Sequence, residues 1–221
     1  MHTALPLSRS RSTRPPRHRL APRLMAGMLL VPVAPVIGIL ALGVMVTMGR
    51  PVLFRQQRSG LYGSTFTLLK LRSMRDASDR MGRPLPDEER VTVLGRFLRR
   101  SRLDELPGLV NVLRAEMAFV GPRPLLPETI SGLGAAGVER GSVLPGLTGW
   151  AQVNGNTLLS LEEKIALDLW YARHRSWSLD LRILARTLWV MLGGERRTRS
   201  VRGPVAEKAP ATNLSASERS S

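Results

Sequence analysis

The sequence predicts an α+β fold in which a membrane helix precedes one small domain of mixed helices and strands. Residues 24–48 carry no charged side chain, two short strand-like runs follow them, and apolar residues recur at helical spacing further on. With 221 residues and no cysteine, the chain can bury one core without disulfide bonds. We expect a disordered basic tail over residues 1–23, the membrane helix over 24–48, the folded domain over 49–192 and a disordered tail over 193–221.

The uncharged run at residues 24–48 predicts a helix that enters and leaves the membrane on the same side. A straight helix of this length would span about 37 Å, more than the roughly 30 Å hydrocarbon layer. Pro32 and Pro35 lie near its middle, and each removes an intrahelical hydrogen bond. Arginines flank both ends equally, which favours the cytoplasmic side for both and a bend at the prolines. A helix that spans the membrane once and a cleaved signal peptide remain alternatives.

The net charge of +16 points to an anionic partner. Nucleic acid, an anionic membrane face and a phosphorylated substrate all fit such a surplus.

Beyond the anchor, residues 51–57 and 65–71 predict two strands around a glycine-containing turn. Lys70 and Arg72 lie at the end of the second and project from one face by the two-residue alternation, although a solvated strand face would look the same.

After a loop at residues 74–86, the sequence predicts one helix that ends with Arg99 and Arg100. Its apolar side is expected to face the core with Val91, Leu94, Phe97 and Leu98.

Two adjacent carboxylates, Asp104 and Glu105, precede the next predicted helix. Pro107 is tolerated only in a first turn, so the acidic pair lies at or beside the helix N-terminus, where an anion such as phosphate can bind. The alternative is a merely capped helix start, because Ser101 and Asp104 fit a capping box.

A rigid Gly-Pro-Arg-Pro turn follows a short strand predicted over residues 117–120. Flanked by Pro122 and Pro124, Arg123 should hold its guanidinium in a fixed direction, which suits phosphate recognition.

Residues 125–143 show no assignable pattern, and the segment after them predicts a short strand. Along it, Trp150, Gln152 and Asn154 would share a face and offer one ring and two amides to a sugar or a uracil. Core packing of Trp150 is the alternative.

Two helices complete the domain. Ser160 and Glu163 form a capping box that opens a helix to about His174, and Ser178 is expected to open a second helix through Leu192. The second is basic and amphipathic and should lie on the bilayer, with core packing as the alternative. Its apolar side comprises Ile183, Leu184, Thr187, Leu188 and Met191, with Trp189 beside them.

Three blocks of this sequence resemble the bacterial sugar transferase family, the monotopic polyprenyl-phosphate glycosyl-1-phosphate transferases that begin glycan assembly on a lipid carrier. The blocks are residues 70–74 (KLRSM), 103–113 with 119–124, and 145–155 (PGLTGWAQVNG). They occur in the family's order and spacing, and the resemblance spans roughly residues 24–192. In two places where relatives usually carry arginine, this chain has Leu144 and Asn156.

The resemblance implies an enzyme that moves a sugar 1-phosphate from a UDP-sugar to polyprenyl (undecaprenyl) phosphate and releases UMP. It implies a re-entrant helix, a catalytic domain on the cytoplasmic face of the inner membrane, and Asp104 as the nucleophile of a covalent phosphosugar intermediate. We expect Glu105 to be the second catalytic residue. The substrate-binding candidates are Lys70, Arg72, Arg99, Arg123, Gln152 and Asn154. Expected partners are the UDP-sugar, polyprenyl phosphate and the bilayer.

Electrostatics adds a requirement for cations around the acidic pair. Two unit charges 4 Å apart repel by about 4 kcal/mol at an effective dielectric of 20, so a carboxylate cannot approach a diphosphate unaided. We expect Mg²⁺ as a cofactor near Glu105, with Arg99 and Arg123 on the phosphate oxygens.

A second class of function is a non-catalytic, membrane-tethered basic module that binds nucleic acid or anionic lipid. The sequence shows no zinc-ligand set, no aromatic-rich basic repeat and no helix-turn-helix pattern, and an acidic pair would repel phosphate without a cation. Nucleic acid is therefore not an expected partner.

Overall fold

The computed structural model describes residues 20–78, 81, 83 and 85–193, and most of both predicted tails lies outside them. The first half of the described chain comprises α1 (Leu20–Met48), β1 (Leu53–Ser59), β2 (Thr65–Leu71), α2 (Asp87–Arg90), α3 (Val93–Ser101) and α4 (Gly108–Leu113). The second half comprises β3 (Ala118–Val120), α5 (Pro127–Gly132), α6 (Ala135–Arg140), β4 (Gly146–Thr148), α7 (Trp150–Val153), α8 (Leu161–His174) and α9 (Trp177–Gly193). Short 3₁₀ turns lie at Leu61–Gly63, Leu103–Glu105 and Asn156–Leu158. This mixture confirms the predicted combination of helices and strands.

The N-terminal helix α1 is long and apolar enough to cross or enter a membrane, by length and composition. It begins at Leu20, so the last residues of the predicted tail are helical, and Pro32 and Pro35 both lie inside it. Its prolines do not end the helix, and a re-entrant path therefore stays a prediction.

Both ends of α1 pack against the rest of the protein. Near the N-terminus, Ala26 joins a core cluster with Phe66 and Leu68 of β2. Near the C-terminus, Val44 joins a cluster with Leu71 and Leu98. Apolar side chains between these two contacts are largely exposed, among them Met28, Val31 and Ile39.

Two small sheets organise the domain. In the first, β1 and β2 pair antiparallel from Leu53 opposite Leu71 to Ser59 opposite Thr65, which confirms the predicted hairpin. In the second, β3 and β4 pair parallel, with α5 and α6 in the connection between them. The short strand predicted over residues 117–120 is thereby confirmed within one residue.

The single helix predicted before Arg99 is wrong, because the chain forms α2 and α3 with a break between them. Val91 forms an isolated antiparallel bridge with Met74, and the Thr92 hydroxyl caps α3 by accepting a hydrogen bond from the Gly95 amide. Phe97 is 55% exposed and does not face the core, whereas Leu98 is fully buried.

The predicted capping box at Ser101 is also wrong. Ser101 is the last residue of α3, and its hydroxyl donates to the backbone carbonyl of Phe97 one turn earlier. Asp104 and Glu105 lie in the 3₁₀ turn between α3 and α4, and Pro107 precedes the first residue of α4.

The strand predicted to carry Trp150, Gln152 and Asn154 is wrong. The strand in this region is β4, and α7 begins directly after it. Because successive helical residues point in directions about 100° apart, the three side chains do not share the face that a strand would have given them.

The last two helices confirm the predicted capping box and correct the start of α9. The Ser160 hydroxyl and the Glu163 carboxylate form the box at the start of α8. At α9, the hydroxyl of Ser176 accepts from the Leu179 amide, so Ser178 does not open the helix.

The predicted apolar side of α9 is divided between core and solvent. Ile183 is fully buried, whereas Leu188 is 65% exposed. Leu188 belongs to an exposed apolar side of the helix that also carries Trp177, Leu181 and Trp189.

Candidate active site

Six of the eight sequence-predicted site residues line one cavity of about 570 Å³. Those six are Lys70, Arg72, Arg99, Asp104, Glu105 and Arg123. They come from the end of β2, the last turn of α3, the 3₁₀ turn and the turn after β3. Two carboxylates therefore lie among four cations in a space large enough for phosphate groups.

Glu105 is the centre of an ion-pair cluster that joins two of these elements. Its Oε1 lies 2.7 Å from Lys70 Nζ on β2 and 3.2 Å from Arg123 Nη2 in the Gly-Pro-Arg-Pro turn. The Lys70 and Glu105 side chains are largely buried, while that of Arg123 is 40% exposed and open to the cavity. The ion pair with Glu105 holds the Arg123 guanidinium on the cavity wall.

The two adjacent carboxyl groups have pKa values shifted in opposite directions. Burial and the neighbouring Glu105 raise the pKa of Asp104 to about 6, although Lys70, Arg123 and Arg99 act against this rise. Burial also opposes ionisation of Glu105, but Arg123 and Lys70 outweigh it and hold its pKa below the ordinary value. At neutral pH both groups are ionised, and Asp104 is the more basic of the two.

Arg99 and Arg72 are held by the segment that follows β2. Arg99 Nε donates to Ser73 Oγ at 2.9 Å. Arg72 is 8% exposed, and it donates from Nε to the Met74 carbonyl and from Nη1 to the Arg50 carbonyl. Its Nη2 lies 2.5 Å from Asp76, whose side chain is exposed.

Gln152 and Asn154 do not line this cavity. Gln152 is 3% exposed, donates to the Leu147 carbonyl and lines a neighbouring cavity of about 30 Å³ together with Lys70, Glu105 and Arg123. Asn154 is buried between the Trp150 carbonyl and Arg186. The following 3₁₀ turn contributes instead, because its Asn156 lines the same cavity as Asp104.

Trp150 is packed within the domain, as its alternative interpretation held. Its ring stacks on Trp170 with centroids 5.3 Å apart, and the Arg186 guanidinium lies over it at 5.2 Å.

Sequence reasoning missed the residues that hold the Arg123 turn in place. Arg140 is buried, donates from Nε and Nη2 to Asp168 Oδ2 at 2.9 and 2.7 Å, and also bonds the backbone carbonyl of Arg123. Arg58 donates to the carbonyl of Pro124 on the same turn. Arg58 and Arg140 bind backbone carbonyls distant in sequence, and no local pattern signals such contacts.

The acidic pair offers few ligands for a metal ion by itself. The described residues contain no group of three or more His, Cys, Asp or Glu side chains arranged to hold one. Mg²⁺ commonly takes only one or two carboxylates and completes its octahedron with water and substrate phosphates. Glu105 lines the cavity where such an ion would arrive with a diphosphate.

Comparison of the sequence with known proteins identifies its family. Residues 15–194 match the family model described as bacterial sugar transferase. An uncharacterized sugar transferase, EpsL, of Bacillus subtilis is 47% identical over 66% of this chain and 73% of its own length.

Several relatives carry the name UDP-glucose:undecaprenyl-phosphate glucose-1-phosphate transferase. The one from Caulobacter vibrioides is 39% identical over 78% of this chain and 68% of its own length. The one from Xanthomonas campestris pv. campestris is 39% identical over 79% of this chain, which spans only 38% of that enzyme. The chain described here belongs to the bacterial sugar transferase family.

Proposed function

We propose that this protein is a phosphoglycosyl transferase that moves a sugar 1-phosphate from a UDP-sugar to polyprenyl phosphate and releases UMP. The observation that carries this proposal is the pairing of a buried, more basic Asp104 with an ion-paired Glu105 inside a cavity lined by arginines. Relatives named for this reaction with UDP-glucose support the same donor class.

The first half-reaction forms a covalent intermediate on Asp104. Its carboxylate oxygen attacks the phosphorus that bears the sugar, the bond to the bridging oxygen breaks, and UMP leaves with that oxygen. Arg123 and Arg99 lie on the cavity wall, where they offset the charge that two approaching anions bring together. Lys70 pairs with Glu105 and helps to keep the pKa of this carboxyl group below its ordinary value, unlike that of Asp104.

The second half-reaction returns the enzyme to its starting state. A phosphate oxygen of polyprenyl phosphate attacks the same phosphorus, the bond to Asp104 breaks, and the sugar leaves on a lipid diphosphate. Mg²⁺ is part of this proposal, with Glu105 as the residue that would hold it. The ion would supply charge neutralisation of the donor diphosphate.

We also propose that the catalytic domain sits on the cytoplasmic face of the inner membrane and that α1 is re-entrant. Packing of both Ala26 and Val44 against one domain supports this topology, because a helix that spanned the bilayer would separate its two ends. The exposed apolar side of α9, with Trp177 and Trp189, suits the interface beside it.

The decisive experiment is the substitution Asp104→Asn in the full-length protein in nanodiscs. Wild-type protein should release UMP from a UDP-sugar and retain label from a sugar-labelled donor, whereas Asp104→Asn should do neither. Glu105→Gln should slow the first half-reaction and weaken its dependence on Mg²⁺. Labelled sugar phosphate on the Asp104→Asn protein would place the nucleophile elsewhere. Tight DNA binding without UMP release by the wild type would favour a basic binding module instead.

UDP-glucose is the first donor to test, because it appears in the relatives' names. Asn156 lines the cavity where relatives usually carry arginine, so Asn156→Arg should change the preference across a panel of UDP-sugars. An unchanged preference would remove residue 156 from the donor site.

A further inference from the structure

We propose that the phosphate of the lipid acceptor reaches Asp104 through a second cavity beside the end of α1 and displaces Asp76 from Arg72 on the way. This inference rests on the proposed function and names the acceptor's route into the same site.

The second cavity has a volume of about 640 Å³ and opens where the chain leaves α1. Residues 51–55 line it together with Arg72 and Asp76. Phe54, Arg72 and Asp76 also line the cavity of Asp104, so the two spaces adjoin along these three residues. We call this second space the outer cavity.

The composition of the outer cavity fits a phosphate with an apolar chain. Pro51, Val52, Leu53 and Phe54 are apolar, while Arg55 and Arg72 supply two positive charges. The preceding end of α1 exposes Leu42 and Val46, and this helix is apolar enough to enter the bilayer. A prenyl chain in the membrane therefore has an apolar approach that ends at cations.

Arg72 lines both cavities, and one edge of its guanidinium is held only by the exposed Asp76 side chain. Its Nε and Nη1 donate to backbone carbonyls, which fixes the guanidinium, and Nη2 faces Asp76 at 2.5 Å. The Asp76 side chain is 79% exposed, so leaving this contact costs it little burial. A phosphate carries more negative charge than a carboxylate and can take its place on Nη2.

With the acceptor phosphate in this position, the second half-reaction needs no general acid or base. The acceptor oxygen forms its bond to the phosphorus on Asp104, and the Asp104 oxygen leaves as a carboxylate. No proton transfer is needed, since the attacking phosphate oxygen is already ionised.

The test separates the two half-reactions in nanodiscs of zwitterionic lipid. UMP released in a single burst without acceptor reports the first, and turnover with added polyprenyl phosphate reports both. Arg55→Glu should raise the KM for polyprenyl phosphate by about tenfold or more while a burst of UMP persists. Asp76→Asn should lower that KM, because it removes the carboxylate that competes for Arg72. Arg114→Glu is the matched control, since Arg114 is exposed and lines neither cavity.

Two outcomes would overturn the route. An unchanged or higher KM in Asp76→Asn would show that Asp76 does not compete with the acceptor. Equal increases of KM in Arg55→Glu and Arg114→Glu would show that the effect comes from general surface charge and not from the outer cavity. A wild type with no UMP burst at all would instead defeat the proposed function.

Discussion

At the scale of single residues, the site depends on two neighbouring carboxyl groups that differ in their surroundings. Asp104 is buried without an ion pair among the described contacts, whereas Glu105 is paired with Lys70 and Arg123. Environments that move two pKa values apart commonly give two carboxylates different roles. The higher basicity falls on the residue that the proposed mechanism uses as nucleophile.

The first prediction concerns pH. Because the pKa of Asp104 is about 6, its carboxylate becomes protonated below that pH and can no longer attack phosphorus. The rate of the UMP burst should therefore fall about tenfold per pH unit below about pH 6 and level off above about pH 7. Rapid-quench measurements across this range check it. A rate that stays constant down to about pH 5 would contradict the assignment.

The second prediction concerns stability. The folded-state pKa of Asp104 lies above the ordinary 3.8, so the folded state loses stability relative to the unfolded chain as pH rises from about 4 to about 6. Asp104→Asn should then raise the free energy of unfolding at pH 7 by about 2–3 kcal/mol, with the gain vanishing below about pH 4.

Glu105→Gln provides the matched control for this stability change. The pKa of Glu105 is lowered, so its ionised form stabilises the folded state and its removal should be destabilising at pH 7. Denaturant titrations of both variants in the same detergent compare them. Similar destabilisation of the two proteins would contradict the opposite pKa shifts.

Much of the site was predictable from the sequence, because its charged residues are concentrated in short segments. Asp104, Glu105 and Arg123 follow from the grouping of charges and the rigid turn over residues 99–124, and Lys70 follows from its place at the end of a predicted strand, with the family resemblance supporting all four. Arg140 does not follow from any such pattern, since it acts through a buried carboxylate and a carbonyl that only the folded chain brings near.

At the scale of elements, the close approach of α3 to the segment after β2 positions Arg99. A Cβ atom on Gly95 would lie 1.9 Å from the Ser73 carbonyl oxygen, so only glycine allows this distance. The approach brings the Arg99 guanidinium to the Ser73 hydroxyl.

The third prediction follows from that contact. Gly95→Ala should push α3 away from Ser73, destabilise the protein by about 1–3 kcal/mol and slow the UMP burst by displacing Arg99. Gly132→Ala in α5 is the control, because nothing lies within 4 Å of its added Cβ. Thermal unfolding and the burst assay measure both effects. Equal behaviour of the two variants would show that α3 tolerates the shift.

The misassigned elements show where a local pattern is insufficient. Over residues 150–153, a four-residue helix and a short strand leave similar alternating patterns, and the distinction depends on packing against α8 and α9. The break between α2 and α3 depends on the bridge from Val91 to Met74, a contact that helical periodicity does not contain.

At the scale of the whole molecule, the fourth prediction concerns topology. Since both ends of α1 contact the same domain, tags at the two termini should be inaccessible from outside intact cells. Pro32→Ala combined with Pro35→Ala should restore the intrahelical hydrogen bonds that the prolines remove and shift part of the population to a spanning form. Membrane-impermeant labelling measures both. Labelling of the wild-type N-terminus from outside would refute the re-entrant path.

The packing of α1 also links membrane insertion to folding. Ala26 and Val44 are fully buried, and they cover side chains such as Phe66, Leu71 and Leu98 that would otherwise meet water. Residues 49–193 released from the helix would therefore expose apolar surface and tend to aggregate. Solubilising conditions must therefore keep α1 in place against the domain to preserve the enzyme.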